Sequence, residues 1–407
     1  MMLILYNLGI KLYYMLAVCT ALFSKKAKAW VNGRRQQRVM PVKQSIWFHF
    51  ASLGEFEQGR PVLEAVKEKY PTYPIVITFF SPSGYQIRKN TALADAVYYL
   101  PIDTPENART FIDTIKPVVA IFTKYEYWYH YFNELHRVQI PLYVISAIFR
   151  PQQAFFKWYG GLHRAMLRKV TCFFVQDAAS VQSLDKLGIK NVLLSGDTRF
   201  DRVWANAAHP KALPVIKGFK VAAPVFIAGS TWPADENLLA SVVKRYPGWK
   251  FIFAPHEISE DKISKLLQTL PVGKTIRYSQ IEASSTSINN YQCLIIDNIG
   301  MLSALYQYAD VAYIGGGFGV GIHNTLEAAA FGLPVIFGPN YARFKEAIDL
   351  ISLHAGFSIS TQEQLDQVVD RLINDEKVRE MSENAARTFV AQSQGATNII
   401  MQNIKIK

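Results

Sequence analysis

The chain has 407 residues, of which 50% are hydrophobic and 19% are charged, and this composition excludes a disordered or low-complexity protein. Its three cysteines are far apart and form no CxxC pair, so neither a disulfide framework nor a structural zinc site is indicated. The net charge is +12, but residues 1–43 carry eight cations and no acid. A nucleic-acid-binding protein is not indicated, because such proteins usually spread their basic residues over the folded domain.

The first predicted element is an apolar segment, residues 1–23, which a basic segment follows at residues 24–44. The apolar segment is long enough to cross a bilayer, which needs about 20 residues. Lys11 lies in its middle, however, and a central charge costs roughly 2.5–3.5 kcal/mol on insertion. We therefore predict a membrane anchor helix that either crosses the bilayer or lies in its interface, with a buried helix of the first domain as the alternative. The cations after it are expected to keep the rest of the chain on the cytoplasmic face.

Strands and helices are predicted to alternate from residue 45 to residue 205, which we interpret as an N-terminal domain. Strands separated by helices of this length imply parallel β-α-β units and an open, doubly wound sheet. The predicted strands are 45–50, 74–80, 97–100, 118–122, 141–146, 172–175 and 192–195, and the predicted helices are 56–70, one ending near 93, 105–115, 126–136, 152–168 and 178–187.

Residues 206–223 interrupt this alternation with two prolines and a glycine and are predicted to be an interdomain linker. The alternation resumes over residues 224–407, which predicts a second domain of the same type, with the last helix able to pack back on the first. The predicted strands are 225–228, 250–254, 292–296, 311–314 and 334–337, and the predicted helices are 234–246, 259–269, 300–308, 324–331, 342–351, 362–374 and 376–403. Ligands of such sheets bind at the carboxyl ends of the strands, so the loops there are the candidate sites.

The loop after the strand predicted at 45–50 reads Ser52-Leu53-Gly54-Glu55. Gly54 allows a tight turn, and Glu55 at the start of the next helix is placed to act as a general base toward a substrate hydroxyl. The same Ser52-x-x-Glu55 pattern is typical of a capping box, in which both side chains satisfy free N–H groups. The residues alone leave both roles open.

A glycine-rich loop at residues 315–321 follows a predicted strand and leads into His323-Asn324-Thr325-Leu326-Glu327. Glycines let the backbone approach a phosphate, and the start of the next helix offers free N–H groups. Glu327 is placed to accept hydrogen bonds from ribose hydroxyls. The spacing is neither G-x-G-x-x-G nor that of a P-loop, so the usual NAD and P-loop sites are not indicated. A plain glycine-rich turn is the alternative.

A third loop, residues 229–232, follows the first strand of the second domain, and His256 follows the neighbouring strand. The hydroxyls of Ser230 and Thr231 suit a phosphate, although either residue is also a common helix N-cap. His49 lies inside an apolar strand and is interpreted as a satisfied core residue. The aromatic run at residues 125–131 is typical of either a sugar site or core packing. No metal-ligand motif is present, so no metal cofactor is expected.

The order of motifs along the chain resembles that of the 3-deoxy-D-manno-octulosonic acid (Kdo) transferases, which are GT-B glycosyltransferases, and the likeness covers nearly the whole chain. The motifs are Ser52-Leu53-Gly54-Glu55, Ser81-Pro82-Ser83-Gly84, Tyr125-Glu126-Tyr127-Trp128, Ser195-Gly196-Asp197-Thr198-Arg199-Phe200-Asp201, Gly315-Gly316-Gly317, His323-Asn324-x-x-Glu327-Ala328 and Gly338-Pro339-x5-Lys345-Glu346.

The resemblance implies a GT-B fold, in which two Rossmann-like domains face each other across a cleft, with an N-terminal membrane-associated helix. It implies an inverting, metal-independent transfer of Kdo from CMP-Kdo to a hydroxyl of the lipid A precursor, with Glu55 as the base. The partners would be CMP-Kdo, the lipid A precursor and the anionic surface of a bacterial inner membrane. Donor contacts are predicted for Ser230, Thr231, His256, Gly316, Gly317, His323, Asn324, Glu327 and Lys345, and acceptor or sugar contacts for Ser52, Gly54, Ser83, Glu126 and Arg199.

The sequence departs from the family pattern at three places. Lys124 stands where the family usually has a second acid, Pro255-His256-Glu257 lacks an expected arginine, and Arg199 replaces a lysine. Another enzyme of this architecture, such as a UDP-sugar transferase or a nucleotide-sugar epimerase, is the alternative function. An inactive membrane-bound relative is a further alternative.

Overall fold

The computed structural model describes residues 2–221, 223–281 and 287–406, and the chain divides into two compact units. The first unit contains residues 1–202 and 394–407, and the second contains residues 203–393. Over the described residues, each unit has one seven-stranded parallel sheet. The prediction of two doubly wound α/β sheets is confirmed.

The first unit alternates strands and helices as its apolar runs predict. Its strands are β1 (Ser45–Phe50), β2 (Ile75–Phe79), β3 (Ala96–Tyr99), β4 (Pro117–Thr123), β5 (Leu142–Ala147), β6 (Cys172–Val175) and β7 (Val192–Leu194). Its helices are α1 (Met2–Thr20), α2 (Lys25–Gln36), α3 (Leu53–Lys69), α4 (Pro82–Arg88), α5 (Pro105–Ile115), α6 (Tyr129–Arg137), α7 (Gly161–Leu167), α8 (Ala178–Asp185) and α9 (Thr198–Ala208), which runs into the second unit.

The second unit repeats the architecture and is followed by a last helix that returns to the first unit. Its strands are β8 (Val225–Thr231), β9 (Lys250–Pro255), β10 (Thr275–Arg277), β11 (Cys293–Ile295), β12 (Val311–Ile314), β13 (Val335–Phe337) and β14 (Gly356–Ser358). The helices are α10 (Pro214–Lys220), α11 (Pro233–Arg245), α12 (Glu260–Thr269), α13 (Leu302–Leu305), α14 (Leu326–Ala330), α15 (Lys345–Ser352), α16 (Gln362–Asn374), α17 (Glu376–Ser393) and, in the first unit, α18 (Ala396–Asn403).

Both sheets reverse their strand order at one point, which locates the candidate sites. The first sheet has the order β3-β2-β1-β4-β5-β6-β7, and the second has the order β10-β11-β9-β8-β12-β13-β14. The chain therefore changes direction between β1 and β4 in one unit and between β8 and β12 in the other. Open α/β sheets bind their ligands at this switch point, off the carboxyl ends of the strands.

Helix α1 lies along the first unit with one face and exposes its other face. The Tyr6 hydroxyl donates to the Asp103 carboxylate at 2.5 Å, and the Tyr13 ring packs edge-on against Trp30 of α2 at 5.6 Å. Large apolar side chains such as Ile4 and Leu8 are more than half exposed. By length and composition alone, α1 is the one described helix that could cross a membrane. The alternative of a buried first-domain helix is wrong, because no described residue of α1 is buried.

The last helix is attached to the first unit by the motif that ends at Asp201. The Asp201 carboxylate accepts hydrogen bonds from the backbone N–H groups of Gly395 and Thr397 at 2.5 and 2.7 Å, which caps the start of α18. Ile400 is buried with α3 in the core on one face of the first sheet. Residues 394–407 therefore complete the first unit even though they follow the second in sequence.

Several elements differ from the sequence predictions. The predicted linker at 206–223 contains α10, whose Ile216 and Phe219 are buried, so its sparse apolar residues belong to the core. The predicted helix at 152–168 is a short 3-10 turn (Ala154–Phe156) and α7, separated by residues 157–160. The basic segment contains α2, and the predicted helix at 376–403 is broken at Gly395, where the chain adopts a left-handed φ of 109°.

Candidate active site

The candidate catalytic carboxylates leave adjacent strands at the switch point of the first sheet. Strand β1 ends at Phe50 and leads to Glu55, and its neighbour β4 ends at Thr123 and leads to Glu126. The two carboxylates also interact electrostatically, because the charge of Glu126 raises the pKa of Glu55. The fold thus brings together two residues that lie in separate sequence motifs.

Glu55 is held at the start of α3 by the loop that precedes it. The Ala51 backbone N–H donates to Oε2 of Glu55 at 2.7 Å, and Glu55 is partly buried. Ser52 is the N-cap residue, but its hydroxyl forms no capping hydrogen bond. The capping box is therefore not formed, since Glu55 reaches past the N-cap to the preceding residue. Gly54 is exposed beside Ser52, so this turn is accessible.

Burial, as the larger cause, and the nearby Glu126 carboxylate together raise the pKa of Glu55 to about 7. The hydrogen bond from Ala51 and the positive charge of Lys124 oppose this rise in pKa. A helix N-terminus ordinarily lowers the pKa of a carboxylate in its first turn, but in Glu55 the net shift in pKa is upward. A carboxylate whose pKa lies near neutrality suits general-base catalysis.

Glu126 is fixed by two donors from the buried side of the site. Nε1 of Trp128 donates to Oε2 of Glu126 at 2.9 Å, and Nε2 of His49 lies 3.1 Å from the same oxygen. Nδ1 of His49 is 2.8 Å from the Thr78 hydroxyl, which also accepts from Nε1 of Trp47 at 2.8 Å. An ionised carboxylate only accepts hydrogen bonds, so the His49 proton belongs on Nε2 and Thr78 donates to Nδ1. His49 is the satisfied core residue that the sequence predicts, and it also holds Glu126.

Two other residues that are predicted to contact the acceptor, Ser83 and Arg199, have hydrogen-bond partners within the first unit. Ser83 lies in the first turn of α4, beyond β2, where its hydroxyl is 2.6 Å from that of Ser81. Nε of Arg199 donates to Asp197 at 2.8 Å, and the same Asp197 accepts from Gln58 of α3 at 3.0 Å. Arg199 therefore belongs to a network that supports the helix carrying Glu55.

Of the aromatic run at residues 125–131, the middle packs in the core and the start reaches the surface. Tyr127 packs edge-on against Phe155 at 5.0 Å, and Tyr131 is fully buried beside Trp47. Tyr125 is 39% exposed. Core packing therefore accounts for Tyr127 and Tyr131, whereas the ring of Tyr125 is exposed.

The glycine-rich loop of the second unit is shaped by its own backbone contacts. Gly316 has a φ of 90°, which glycine adopts readily, and its N–H donates to the Asp235 carboxylate at 3.0 Å. A Cβ on Gly317 would lie 2.6 Å from the backbone of Gly338. The Gly316 N–H is thus already bonded, so this glycine shapes the loop and does not offer that N–H to a phosphate.

Three aromatic rings stack at the carboxyl ends of β8 and β9. The rings of Trp232 and His256 are 4.7 Å apart and those of His256 and His323 are 4.5 Å apart, all close to parallel. Nε1 of Trp232 donates to Nε2 of His323 at 3.2 Å. Burial and the neighbouring His256 lower the pKa of His323, while Asp235 opposes this change. His256 and His323 are therefore brought together, with a neutral His323 near pH 7.

The remaining donor-side residues have their own partners. The Thr231 hydroxyl donates to Glu236 at 2.9 Å, Ser230 has a left-handed φ of 53°, and the N-cap of α11 is Trp232, so neither hydroxyl residue is the N-cap. The Asn324 amide donates to Glu327 at 3.0 Å, and its oxygen accepts from the N–H of Leu326. The N–H of Leu326 is one of the groups at the start of α14 that the sequence predicts to be free for a phosphate, and in the structure it is already bonded to Asn324.

Lys345 is not brought to the histidine stack by any contact in the described residues. Its ammonium group donates to Asp349 at 2.5 Å along α15, and its side chain is 71% exposed. Within the described part of the chain, no three His, Cys, Asp or Glu side chains group as metal ligands.

Two residues of this site are missing from the sequence predictions. Asp235 is buried and accepts hydrogen bonds from the Tyr313 hydroxyl and from the N–H groups of Trp232 and Gly316. Trp232 completes the histidine stack. An acid three residues after a helix N-cap residue resembles an ordinary helix start, so the second role of Asp235 becomes visible only from the glycine-rich loop that bonds to it.

Several known proteins are similar in sequence to most of this chain. Residues 25–202 match the family described as 3-deoxy-D-manno-octulosonic-acid transferase, or Kdo transferase. A 3-deoxy-D-manno-octulosonic acid transferase of Haemophilus influenzae is 26% identical over 382 residues, covering 90% of this chain and 87% of the relative. One from Chlamydia trachomatis is 25% identical over 364 residues, covering 86% and 83%.

A solved structure with a similar fold is the UDP-GlcNAc 2-epimerase of Neisseria meningitidis bound to UDP-GlcNAc. Its TM-score is 0.62 at 14% sequence identity, and the match covers 89% of this chain and 99% of that one. At this identity the likeness shows the fold alone. It agrees with a GT-B-like pair of α/β domains.

Proposed function

Because the chain is a glycosyltransferase of the Kdo transferase family, we propose that it transfers Kdo from CMP-Kdo to a hydroxyl of the lipid A precursor, lipid IVA. Kdo transfer in lipopolysaccharide synthesis follows from the family. The acceptor, the stereochemistry and the residue roles are the proposal. The observation that carries it is the Glu55 carboxylate, at the switch point of the first sheet, with a pKa of about 7.

Glu55 acts as the general base in this proposal. Its ionised carboxylate removes the proton from the acceptor hydroxyl as the oxygen forms a bond to the anomeric carbon of Kdo. The bond between that carbon and the phosphate oxygen breaks, and CMP leaves with the electron pair. Attack on the face opposite the leaving phosphate inverts the configuration. No metal ion takes part in this scheme.

Glu126 tunes the base and is itself held by His49 and Trp128. Its fixed negative charge keeps the pKa of Glu55 high, so that Glu55 carries the abstracted proton through the transfer. Lys124, next to Glu55, offers a positive charge to an anionic substrate at the position where the family usually has an acid.

The second unit holds the nucleotide sugar. The stacked rings of Trp232, His256 and His323 present a flat surface with imidazole donors beside the glycine-rich loop. Ser230 and Thr231 lie at the end of β8, and Asn324 and Glu327 follow the loop. The clustering of most predicted donor residues around this loop supports their assignment to CMP-Kdo.

Helix α1 is proposed to lie in the membrane interface on the cytoplasmic side. Its contacts through Tyr6 and Tyr13 run along one face of the first unit, whereas Ile4, Leu5 and Leu8 are exposed on the other. A helix with these two faces binds flat on a bilayer. The exposed cations of residues 24–44, such as Lys25, Lys26 and Lys28, add about 1 kcal/mol each of attraction to an anionic surface.

The test is mass spectrometry of lipid IVA incubated with CMP-Kdo and the purified full-length chain. We expect a mass gain of one or more Kdo residues, unchanged by EDTA, and no product from UDP-GlcNAc. Transfer from UDP-GlcNAc, or loss of activity with EDTA that added metal restores, would contradict the donor or the metal-independent scheme.

A further inference from the structure

A cavity of about 560 Å³ lies in the first unit between α1, α2 and the segment that leads into α5. Neither Glu55 nor Glu126 is among the residues that line it. Its walls are Ile10, Lys11, Tyr14, Met15, Arg34, Arg35, Pro101, Ile102, Thr104 and Asn107.

The cavity carries three positive charges and no negative charge on its walls. Lys11 comes from α1, and Arg34 and Arg35 come from α2. The nearby Asp103 is not a wall residue, because its buried carboxylate is directed to the Tyr6 hydroxyl and to the N–H groups of His130 and Tyr131. The local charge therefore favours an anion.

Arg34 strengthens the preference of the cavity for an anion, because its positive charge is buried and no carboxylate among the described residues pairs with it. Its guanidinium donates to the carbonyl oxygens of Leu100 and Phe80 and lies 3.9 Å from the Trp30 ring centroid. Burial lowers the pKa of Arg34 to about 10. In the described part of the chain, no carboxylate lies within ion-pair distance of Lys11, Arg34 or Arg35. An anion in the cavity would offset the cost of this buried charge.

The apolar part of the walls and the location point to an amphiphilic anion. Ile10, Met15 and Ile102 provide apolar surface beside the cations. The cavity is bounded by α1, whose outer face exposes Leu12 and Leu16. An acyl chain leaving the cavity would pass onto this apolar face.

We propose that this cavity binds the phosphate headgroup of an anionic membrane lipid, with Lys11 and Arg35 contacting the phosphate. Arg34 supplies a fixed positive charge from behind. The Arg35 guanidinium is oriented by the Tyr14 hydroxyl, which accepts from its Nε at 3.0 Å. The N-terminus of α5, capped by Thr104, adds its dipole on the opposite wall.

The test uses a soluble probe, so that general attraction to a charged bilayer does not contribute. Dihexanoyl phosphatidic acid is titrated into the detergent-solubilised full-length protein by calorimetry, without CMP-Kdo. We expect one saturable site and binding at least about tenfold weaker for dihexanoyl phosphatidylcholine and for inorganic phosphate, which lack the charge or the chains.

Two double variants separate the cavity from general basicity. Lys11→Gln/Arg35→Gln removes two cavity cations and is expected to weaken binding of the probe at least about tenfold. Lys25→Gln/Lys28→Gln removes two exposed cations of α2 outside the cavity and is expected to change binding less than about twofold. Thermal unfolding of both variants confirms that they fold.

Absence of a saturable site would overturn the proposal, as would equal weakening by the two double variants or equal binding of inorganic phosphate. Displacement of the probe by phosphatidylglycerol would assign the site to bulk membrane lipid. Displacement by a phosphorylated glycolipid at lower concentration would assign it to the acceptor class. Because no donor is present, the outcome is independent of whether transfer is observed.

Discussion

The acid limb of the pH–rate profile reports the environment of Glu55. In the proposed mechanism only the ionised carboxylate of Glu55 removes a proton, so we expect activity to be lost as the pH falls through its pKa of about 7. At that pKa, about nine tenths of Glu55 is ionised at pH 8 and slightly less than about one tenth at pH 6, so kcat/KM falls roughly tenfold between them. With an ordinary glutamate pKa, the change over this range would be only a few per cent.

Glu126→Gln tests the cause of this shift. The amide oxygen still accepts hydrogen bonds from Trp128 and His49, but the negative charge beside Glu55 is gone. Since burial is the larger cause of the raised pKa and remains, the acid limb is expected to move below pH 7 without reaching the ordinary value of 4.5. Glu106→Gln, which removes an exposed carboxylate in the first turn of α5, is the matched control and leaves the limb in place.

The assay is the initial rate of Kdo transfer from CMP-Kdo at subsaturating donor, measured from about pH 5 to pH 9. An unchanged or raised acid limb in Glu126→Gln would refute the coupling between the two carboxylates. A limb near pH 4.5 in the unmodified protein would refute the raised pKa of Glu55 itself.

Three further predictions concern the cap of α18, the glycine-rich loop and the histidine stack. Asp201→Ala removes the cap of α18 at Thr397 and is expected to lower the free energy of unfolding by about 1–2 kcal/mol, measured by urea denaturation; unchanged stability would contradict the capping role. Gly317→Ala places a methyl group against the Gly338 backbone and is expected to cost about 1–3 kcal/mol, visible as a lower Tm, whereas an unchanged Tm would show that the loop yields freely. His323→Ala removes one ring of the stack and is expected to weaken CMP binding about tenfold by calorimetry, and full affinity would exclude His323 from the donor site.

The fold could be predicted from the sequence where buried strands form continuous apolar runs. Ser45–Phe50 and Cys172–Val175 agree with their predicted bounds, because a parallel strand covered on both faces needs apolar residues at nearly every position. Thr275–Arg277 and Gly356–Ser358 were not predicted, since three-residue edge strands have no periodicity to detect. Their place in the sheet depends on pairing with distant strands.

The sequence could predict which loops form the candidate site, but it could not predict the contacts between their residues. Pattern alone could not show that the capping box is not formed, because the hydrogen bond that Glu55 accepts comes from Ala51, outside the motif. The link between His49 and Glu126 spans 77 residues of sequence and arises from the pairing of β1 with β4. The sequence also predicts that the glycine-rich loop lets the backbone approach a phosphate, but it does not reveal that the Gly316 N–H donates to Asp235.

The rate of Kdo transfer by the Glu55→Gln variant tests the proposed mechanism most directly. The amide is nearly the same size as the carboxylate and its oxygen still accepts from Ala51, but it cannot take up the proton of the acceptor. With CMP-Kdo and lipid IVA, mass spectrometry is expected to show product formation slower by at least about 100-fold, with unchanged Tm and CMP affinity. Product formation at a rate close to that of the unmodified protein would contradict the assignment of Glu55 as the base.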